Sequence, residues 1–193
     1  MSGTQLLSLL GYIWAAFGIY WLIAGFKSKA ARTHEAQYYR FARLAILAIT
    51  FSLLFWRSSA VGFLGRRFVF ESLAVHYLAF SLALAGLAIA IWARVHLGQY
   101  WSDKIVLKVD HQLVRSGPYA RMRHPIYSGV LLGVLGTALL LGEVRGLLAF
   151  VLLVVNYAIK ARREDRILAS HFGDDFREHA RRAGFLLPRL RLH

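Results

Sequence analysis

Uncharged apolar runs long enough to cross a lipid bilayer constrain this chain more than any other feature. Leu6–Phe26 is 21 residues without a charged side chain, and Ser72–Ala93 is 22 residues interrupted only by His76. At about 1.5 Å of rise per residue, either run spans a hydrocarbon core of about 30 Å. Inside that core every backbone N–H and C=O needs an internal partner, so runs of this kind form helices. Three further segments are apolar: Leu44–Trp56, Pro125–Gly142 and Gly146–Ile159. The first of these has only 13 residues, so it either extends into Arg57–Leu64 or lies tilted behind other helices. The last two are separated by Glu143-Val144-Arg145 and form a helical hairpin. The expected fold is an all-α integral membrane protein. Residues 1–193 make one membrane domain with five transmembrane helices near 6–26, 44–64, 72–93, 125–142 and 146–160.

Charge sets the expected orientation. Of the 24 Lys and Arg, 20 fall in 27–43, 94–123 and 160 to the end, and 4 fall in the alternate loops as Arg57, Arg66, Arg67 and Arg145. The positive-inside rule then places the central region and the C-terminus in the cytoplasm and the N-terminus outside. Five spans reconcile the two ends. The first apolar run has no basic region before it and exceeds a signal-peptide core, so the first span is expected to be retained. A net charge of +14 suits nucleic acid in the abstract, but here the basic residues punctuate hydrophobic spans, so the partner they imply is a membrane surface and not nucleic acid. The absence of cysteine excludes disulfides, Cys-based zinc sites and thiol catalysis. No HExxH-type metal spacing, Gly-rich nucleotide loop or Ser-His-Asp pattern is present.

Two polar stretches interrupt this apolar background. The first runs from His111 to Tyr127. Gly117-Pro118 reads as a turn, and Pro125 sits where a helix begins, because a first-turn proline gives up no needed N–H. His124 then stands at a helix N-terminus beside Tyr119, Arg121, Arg123 and Tyr127, a setting suited to an anionic or zwitterionic small molecule. The same residues also suit plain membrane anchoring, with snorkelling arginines and interfacial tyrosines. The second stretch holds Asn156, Lys160 and Glu164, four residues apart on one helix face, with Asp165 next to them. It reads either as a solvated charged face or as a polar stripe leading from hydrocarbon depth to a carboxylate pair at the surface. Beyond it, Lys160–Arg182 keeps a helical pattern with Ile167, Leu168, His171, Phe172 and Phe176 on one stripe, as expected of a basic amphipathic helix on the membrane surface. Ile105–Val109 has strand-forming residues and suits an extended segment.

At these stretches the sequence resembles the isoprenylcysteine carboxyl methyltransferase and phospholipid methyltransferase superfamily of integral membrane enzymes. The resemblance rests on Leu97-Gly98, Trp101-Ser102, His111-x-Leu113-Val114, Gly117-x-Tyr119, Arg123-His124-Pro125-x-Tyr127, Glu164-Asp165, Leu168 and Phe172-Gly173. It covers residues 97–190. It implies methyl transfer from S-adenosyl-L-methionine to a lipophilic acceptor in the bilayer, with a cytoplasmic cofactor region formed by 97–127 and 160–190. Carried over by position, the cofactor contacts are His111, Gln112, Leu113, Val114, Tyr119, His124, Pro125, Ile126, Tyr127, Glu164 and Asp165, and the acceptor contacts are Lys160 and Asn156. No residue is assigned a catalytic role beyond positioning, and no metal is required. Lys160 departs from the arginine of the carboxyl methyltransferases: it keeps the charge and lacks the bidentate fork. The acceptor stays open among a prenylcysteine carboxylate, a phospholipid amine and a thiol. Two other readings are an NADPH-dependent membrane reductase of the sterol-reductase type and a non-catalytic lipid-binding membrane protein.

Overall fold

A computed structural model describes residues 1–26, 37–98 and 113–189. Six α-helices follow in order: α1 Gly3–Phe26, α2 Gln37–Phe55, α3 Leu73–Leu97, α4 Pro125–Leu141, α5 Val144–Phe172 and α6 Asp174–Arg182. Among the described residues, backbone pairing outside helices and turns is limited to two isolated bridges, Arg67 with Glu143 and Met122 with Gly184. Four helices, α1, α2, α3 and α5, are long and apolar enough to cross a membrane, and α4 is a shorter apolar helix of 17 residues. The chain is an integral membrane protein. His111, Gln112, Trp101-Ser102 and the Ile105–Val109 stretch lie outside the described residues.

Close packing of α3 on α4 forms the centre of the bundle, and small residues make it possible. Ala79, Ala83, Gly86 and Ala90 are buried along α3 and face Gly129, Gly133 and Gly136 of α4. A Cβ at Gly86 would lie 2.3 Å from the Gly133 nitrogen, and one at Gly136 would lie 2.4 Å from the Ala83 nitrogen. Backbones approach this closely in membranes because lipid offers no hydrophobic drive between helices, which leaves van der Waals contact to hold them together. The Trp14 indole of α1 covers Gly133 and donates to Thr137 Oγ1 at 3.0 Å, and the Thr137 hydroxyl in turn donates to Gly133 O at 2.7 Å. Trp14 is thus a core residue, whereas Tyr12 is exposed.

The second span differs from expectation at both ends. It runs over Gln37–Phe55 and not over 44–64; residues Arg57–Ser59 and Gly62–Gly65 form 3-10 turns. The reason lies in the helix's last carbonyls. Ser59 Oγ donates to Trp56 O at 2.7 Å, and Arg145 Nη1 donates to Leu53 O at 2.9 Å and Trp56 O at 2.8 Å. These donors satisfy the orphan acceptors of α2 and stop it there. The length that was missing is made up on the other side, by Gln37–Arg43.

The C-terminal half also differs. Lys160–Phe172 does not begin a separate surface helix; it is the continuation of α5, which ends only at Gly173 with φ 54°. The separate helix is the short α6. At the α4–α5 turn, Gly142 takes φ 69°, and the 66–68 segment docks there through Phe68 N–H to Gly142 O and Val144 N–H to Arg66 O, both 2.9 Å.

Candidate functional site

The site lies where α4 starts, at the end of the bundle away from the α4–α5 turn. Arg94, buried near the C-terminus of α3, braces this end: Nη2 donates to Ala24 O at 2.8 Å and Nη1 to Gly98 O at 3.0 Å. The Gly117–Ala120 turn follows, and it buries Pro118 and Tyr119. The Tyr119 hydroxyl donates to Ala93 O at 3.4 Å, and its ring joins Ala93 and Ile126 in a small apolar cluster, against which Leu97, Val114 and Tyr127 pack. Burial pushes the Tyr119 phenol far above its usual range, with the Glu164 charge acting in the same direction. It therefore stays neutral and serves as a wall and a strut.

His124 is the hub. It is 6% exposed and forms the N-cap of α4 without a side-chain cap to the helix, with Pro125 in the first turn. Its ring is turned instead towards α5. Nε2 lies 2.9 Å from Asp165 Oδ1, and Nδ1 lies 3.5 Å from Glu164 Oε2. The Tyr127 hydroxyl donates to Glu164 Oε1 at 2.6 Å, and Arg123 Nε stands 3.3 Å from Asp165 Oδ2. Burial alone would lower the His124 pKa; hydrogen bonding to Asp165 and to Glu164, reinforced by both charges, outweighs it and holds the pKa above the ordinary imidazole value. The imidazolium is thereby favoured between two carboxylates.

Glu164 and Asp165 are adjacent on α5, so their side chains leave the helix about 100° apart. The two ring nitrogens of His124 lie on opposite edges of the ring, so two adjacent carboxylates on one helix can each take one.

On the same face of α5, one turn earlier, Lys160 is 6% exposed and places Nζ 5.2 Å from the centre of the Tyr127 ring. Asn156, a further turn back, is 4% exposed. The structure thus brings together Tyr119, His124, Pro125, Ile126, Tyr127, Lys160, Glu164 and Asp165, with Val114 against the apolar wall. Leu113 is half-buried, with no contact to that cluster described.

Three residues were missed by sequence reasoning. Tyr157 stacks on Tyr127 at 4.8 Å between ring centres. It lies seven residues before Glu164 on the same helix face, which was a usable signal. Phe185 meets the His124 ring edge-on at 5.5 Å and lies under the Arg123 guanidinium. Gly184 lets this C-terminal segment close in: Arg123 N–H donates to Gly184 O at 2.9 Å and Gly184 N–H to Arg121 O at 3.0 Å. A Cβ on Gly184 would come within 2.0 Å of Leu187 O. From the far side, His179 of α6 is buried, and its pKa is lowered by burial first and then by Arg115 and Arg123.

A bundle of helices long and apolar enough to cross a membrane, with a polar, aromatic-walled cluster at this end built from a His-Pro helix start and a carboxylate pair, defines the class: an integral membrane protein with a buried charged cluster. Residues 78–170, from α3 into α5, match the isoprenylcysteine carboxyl methyltransferase (ICMT) family. The chain is 27% identical over 208 residues to the protein-S-isoprenylcysteine O-methyltransferase of Schizosaccharomyces pombe, covering 92% of this chain and 87% of that one. It is 36% identical over 115 residues to the cobalt-zinc-cadmium resistance protein CzcN of Cupriavidus metallidurans, covering 58% of this chain and 50% of that one. The chain thus spans only half the length of the Cupriavidus relative. In fold it is similar to a eukaryotic intramembrane Ras methyltransferase, with a TM-score of 0.51 and 19% identity over 81% of this chain and 54% of that one. Over α3 to α5 the chain is thus similar to the isoprenylcysteine carboxyl methyltransferase family.

Proposed function

We propose that this protein transfers a methyl group from S-adenosylmethionine to a lipophilic acceptor drawn from the bilayer. The observation that carries this reading is the convergence of Glu164 and Asp165 on His124 at the start of α4. The residues present suit the cofactor. The uncapped first turn of α4 offers the Ile126 and Tyr127 N–H groups to a carboxylate. Glu164 and Asp165 suit an ammonium or a ribose hydroxyl, and Val114, Tyr119 and Tyr127 form an apolar wall for an adenine. When bound, the cofactor supplies an electrophilic methyl on a sulfonium.

The protein's part is then alignment and the exclusion of water, because methyl transfer is an in-line displacement that gains most from fixed geometry. Lys160 and Asn156 face the same helix groove from hydrocarbon depth and orient the acceptor. A buried ammonium favours an anionic acceptor such as a carboxylate or a phosphate-bearing lipid over a protonated amine. In this reading α4 completes a five-span topology, with the N-terminus outside and the site in the cytoplasm. Its 17 residues cover about 25 Å, which suits a helix largely enclosed by its neighbours.

Calorimetry with S-adenosylhomocysteine on purified protein tests the cofactor site. Binding that is lost in Glu164→Gln while the helical circular dichroism persists supports the proposal, and absence of binding to the wild-type chain overturns it. For the acceptor, membranes given labelled methyl donor should carry label in lipid or protein ester. Lys160→Ala should lower that incorporation while leaving cofactor affinity in place.

A further inference from the structure

At the other end of the bundle from His124 lies a second cavity, of about 1060 Å³. Its walls run down α1 from Ser2 past Leu7 and Gly11 to Ala15, close to 20 Å of helix. Leu54, Phe55, Leu140 and Leu141 line its other sides. The cavity is therefore mainly apolar along α1, over a length that an acyl chain can follow.

The mouth is different. Arg57, Arg67 and Arg145 meet Glu71 and Glu143 there, and hydroxyls from Ser2, Thr4 and Ser8 edge it. Arg145 holds Glu143 at 2.6 Å and Arg67 holds Glu71 at 3.1 Å, which leaves Arg57 as the surplus cation, with no ion pair among the described residues. His76 also lines the cavity, and its buried Nδ1 makes no hydrogen bond. The N-terminus of α3, capped by Ser72, faces the same mouth and adds the positive end of a helix dipole. One unbalanced guanidinium and a helix N-terminus favour one negative charge at this place, and the unpartnered His76 nitrogen leaves a polar contact there to be made.

We infer that this cavity holds one molecule of a monoanionic phospholipid, with its phosphodiester at Arg57, Arg67 and His76 and an acyl chain laid along α1. The site is separate from the proposed methyl-transfer centre and does not depend on that reading. Inorganic phosphate shares the headgroup chemistry but would leave the apolar channel unfilled.

The test uses the full chain, tagged at the C-terminus, in nanodiscs of phosphatidylcholine containing a minor fraction of phosphatidylglycerol. Native mass spectrometry after release reads the retained lipid. The expected result is one retained phosphatidylglycerol, preferred over phosphatidylcholine by roughly tenfold, since both lipids offer the phosphodiester but choline adds a cation that the guanidinium groups at the mouth oppose. The double variant Arg57→Gln/Arg67→Gln should erase the preference, and it removes only an exposed ion pair, of little consequence for folding. Gly11→Leu is independent of the charges: an added Cβ there meets only Phe55, at 3.6 Å, and the rest of the side chain fills the channel. It should abolish retention of either lipid while S-adenosylhomocysteine affinity stays unchanged. Equal retention of the two lipids by the wild-type chain overturns the proposal, and so does unaltered retention in both variants. A thermal midpoint raised as much by inorganic phosphate alone as by phosphatidylglycerol also overturns it, in favour of a free-anion site.

Discussion

The two ends of this bundle each bury a charged cluster, and they use it in opposite ways. At one end Arg145, 4% exposed, binds Glu143 and spends its remaining hydrogen bonds on Leu53 O, Trp56 O and Ser59 Oγ. Its partners are mostly backbone and turn atoms that cannot move without unwinding α2. At the other end His124, 6% exposed, is held by Glu164 and Asp165, which are also engaged by Tyr127 and Arg123. Those partners are side chains, each able to trade a contact for one with a ligand. Burial and charge alone do not mark a site. What the buried ion is bonded to decides whether it holds the fold or stays available for chemistry.

The variant Arg145→Ala is the most forceful way to break this contrast. It strands Glu143 and the α2 carbonyls, and removing one member of a buried pair costs about 3–5 kcal/mol. A large fall in the thermal midpoint in detergent is expected, with S-adenosylhomocysteine affinity unchanged in whatever protein stays folded. His124→Ala should do the reverse. Loss of charge-assisted bonds worth about 1.5–3 kcal/mol would weaken the ligand roughly ten- to hundredfold by calorimetry, with the melting transition moved far less. If both variants lowered stability alike and neither touched binding, the contrast would fail.

Gly184→Ala comes next. Its Cβ has no room against Leu187 O, so the segment carrying Phe185 must shift, at about 1–3 kcal/mol for overpacking. Limited proteolysis should show faster cleavage at 183–189 while α1 to α5 stay protected.

The smallest effect is in pH. The raised pKa of His124 means that its ion pairs stabilise the fold fully below the unfolded value of about 6.5 and lose that contribution as pH rises through the folded value. The lowered pKa of His179 acts the other way: its contribution is present above the unfolded value and fades as pH falls. Histidine-selective NMR should find one imidazole titrating above the usual range and one below it, and Asp165→Asn should bring the higher one down.

The sequence showed some of this directly and hid the rest for identifiable reasons. Pro125 announced the start of α4, because a proline ring fits only the first turn of a helix. The shared face of Asn156, Lys160 and Glu164 followed from a spacing of four. The early end of α2 was not visible, since the donors that stop it include Arg145, about 90 residues further along the chain in the hydrogen bonds recorded. The equal standing of Glu164 and Asp165 was hidden because it depends on how the His124 ring is turned. The break between α5 and α6 at Gly173 was not read from the sequence. The single helix expected over Lys160–Arg182 ran across that glycine because Phe172 and Phe176 keep a spacing of four through it, whereas α5 passes unbroken from the apolar run only to Phe172.

That unbroken helix has a mechanical consequence. Arg145 and Glu164 sit on one rod, and their separation of 19 positions sets a fixed length of about 28 Å, close to the thickness of a hydrocarbon core. One end is bolted to the α2 terminus, and the other carries the carboxylate that meets His124. A bilayer that thins or thickens therefore cannot adjust the two ends separately: it must tilt the rod as a whole, and any tilt swings Glu164 relative to the start of α4. The membrane's own thickness thus becomes a gauge for the alignment of the site.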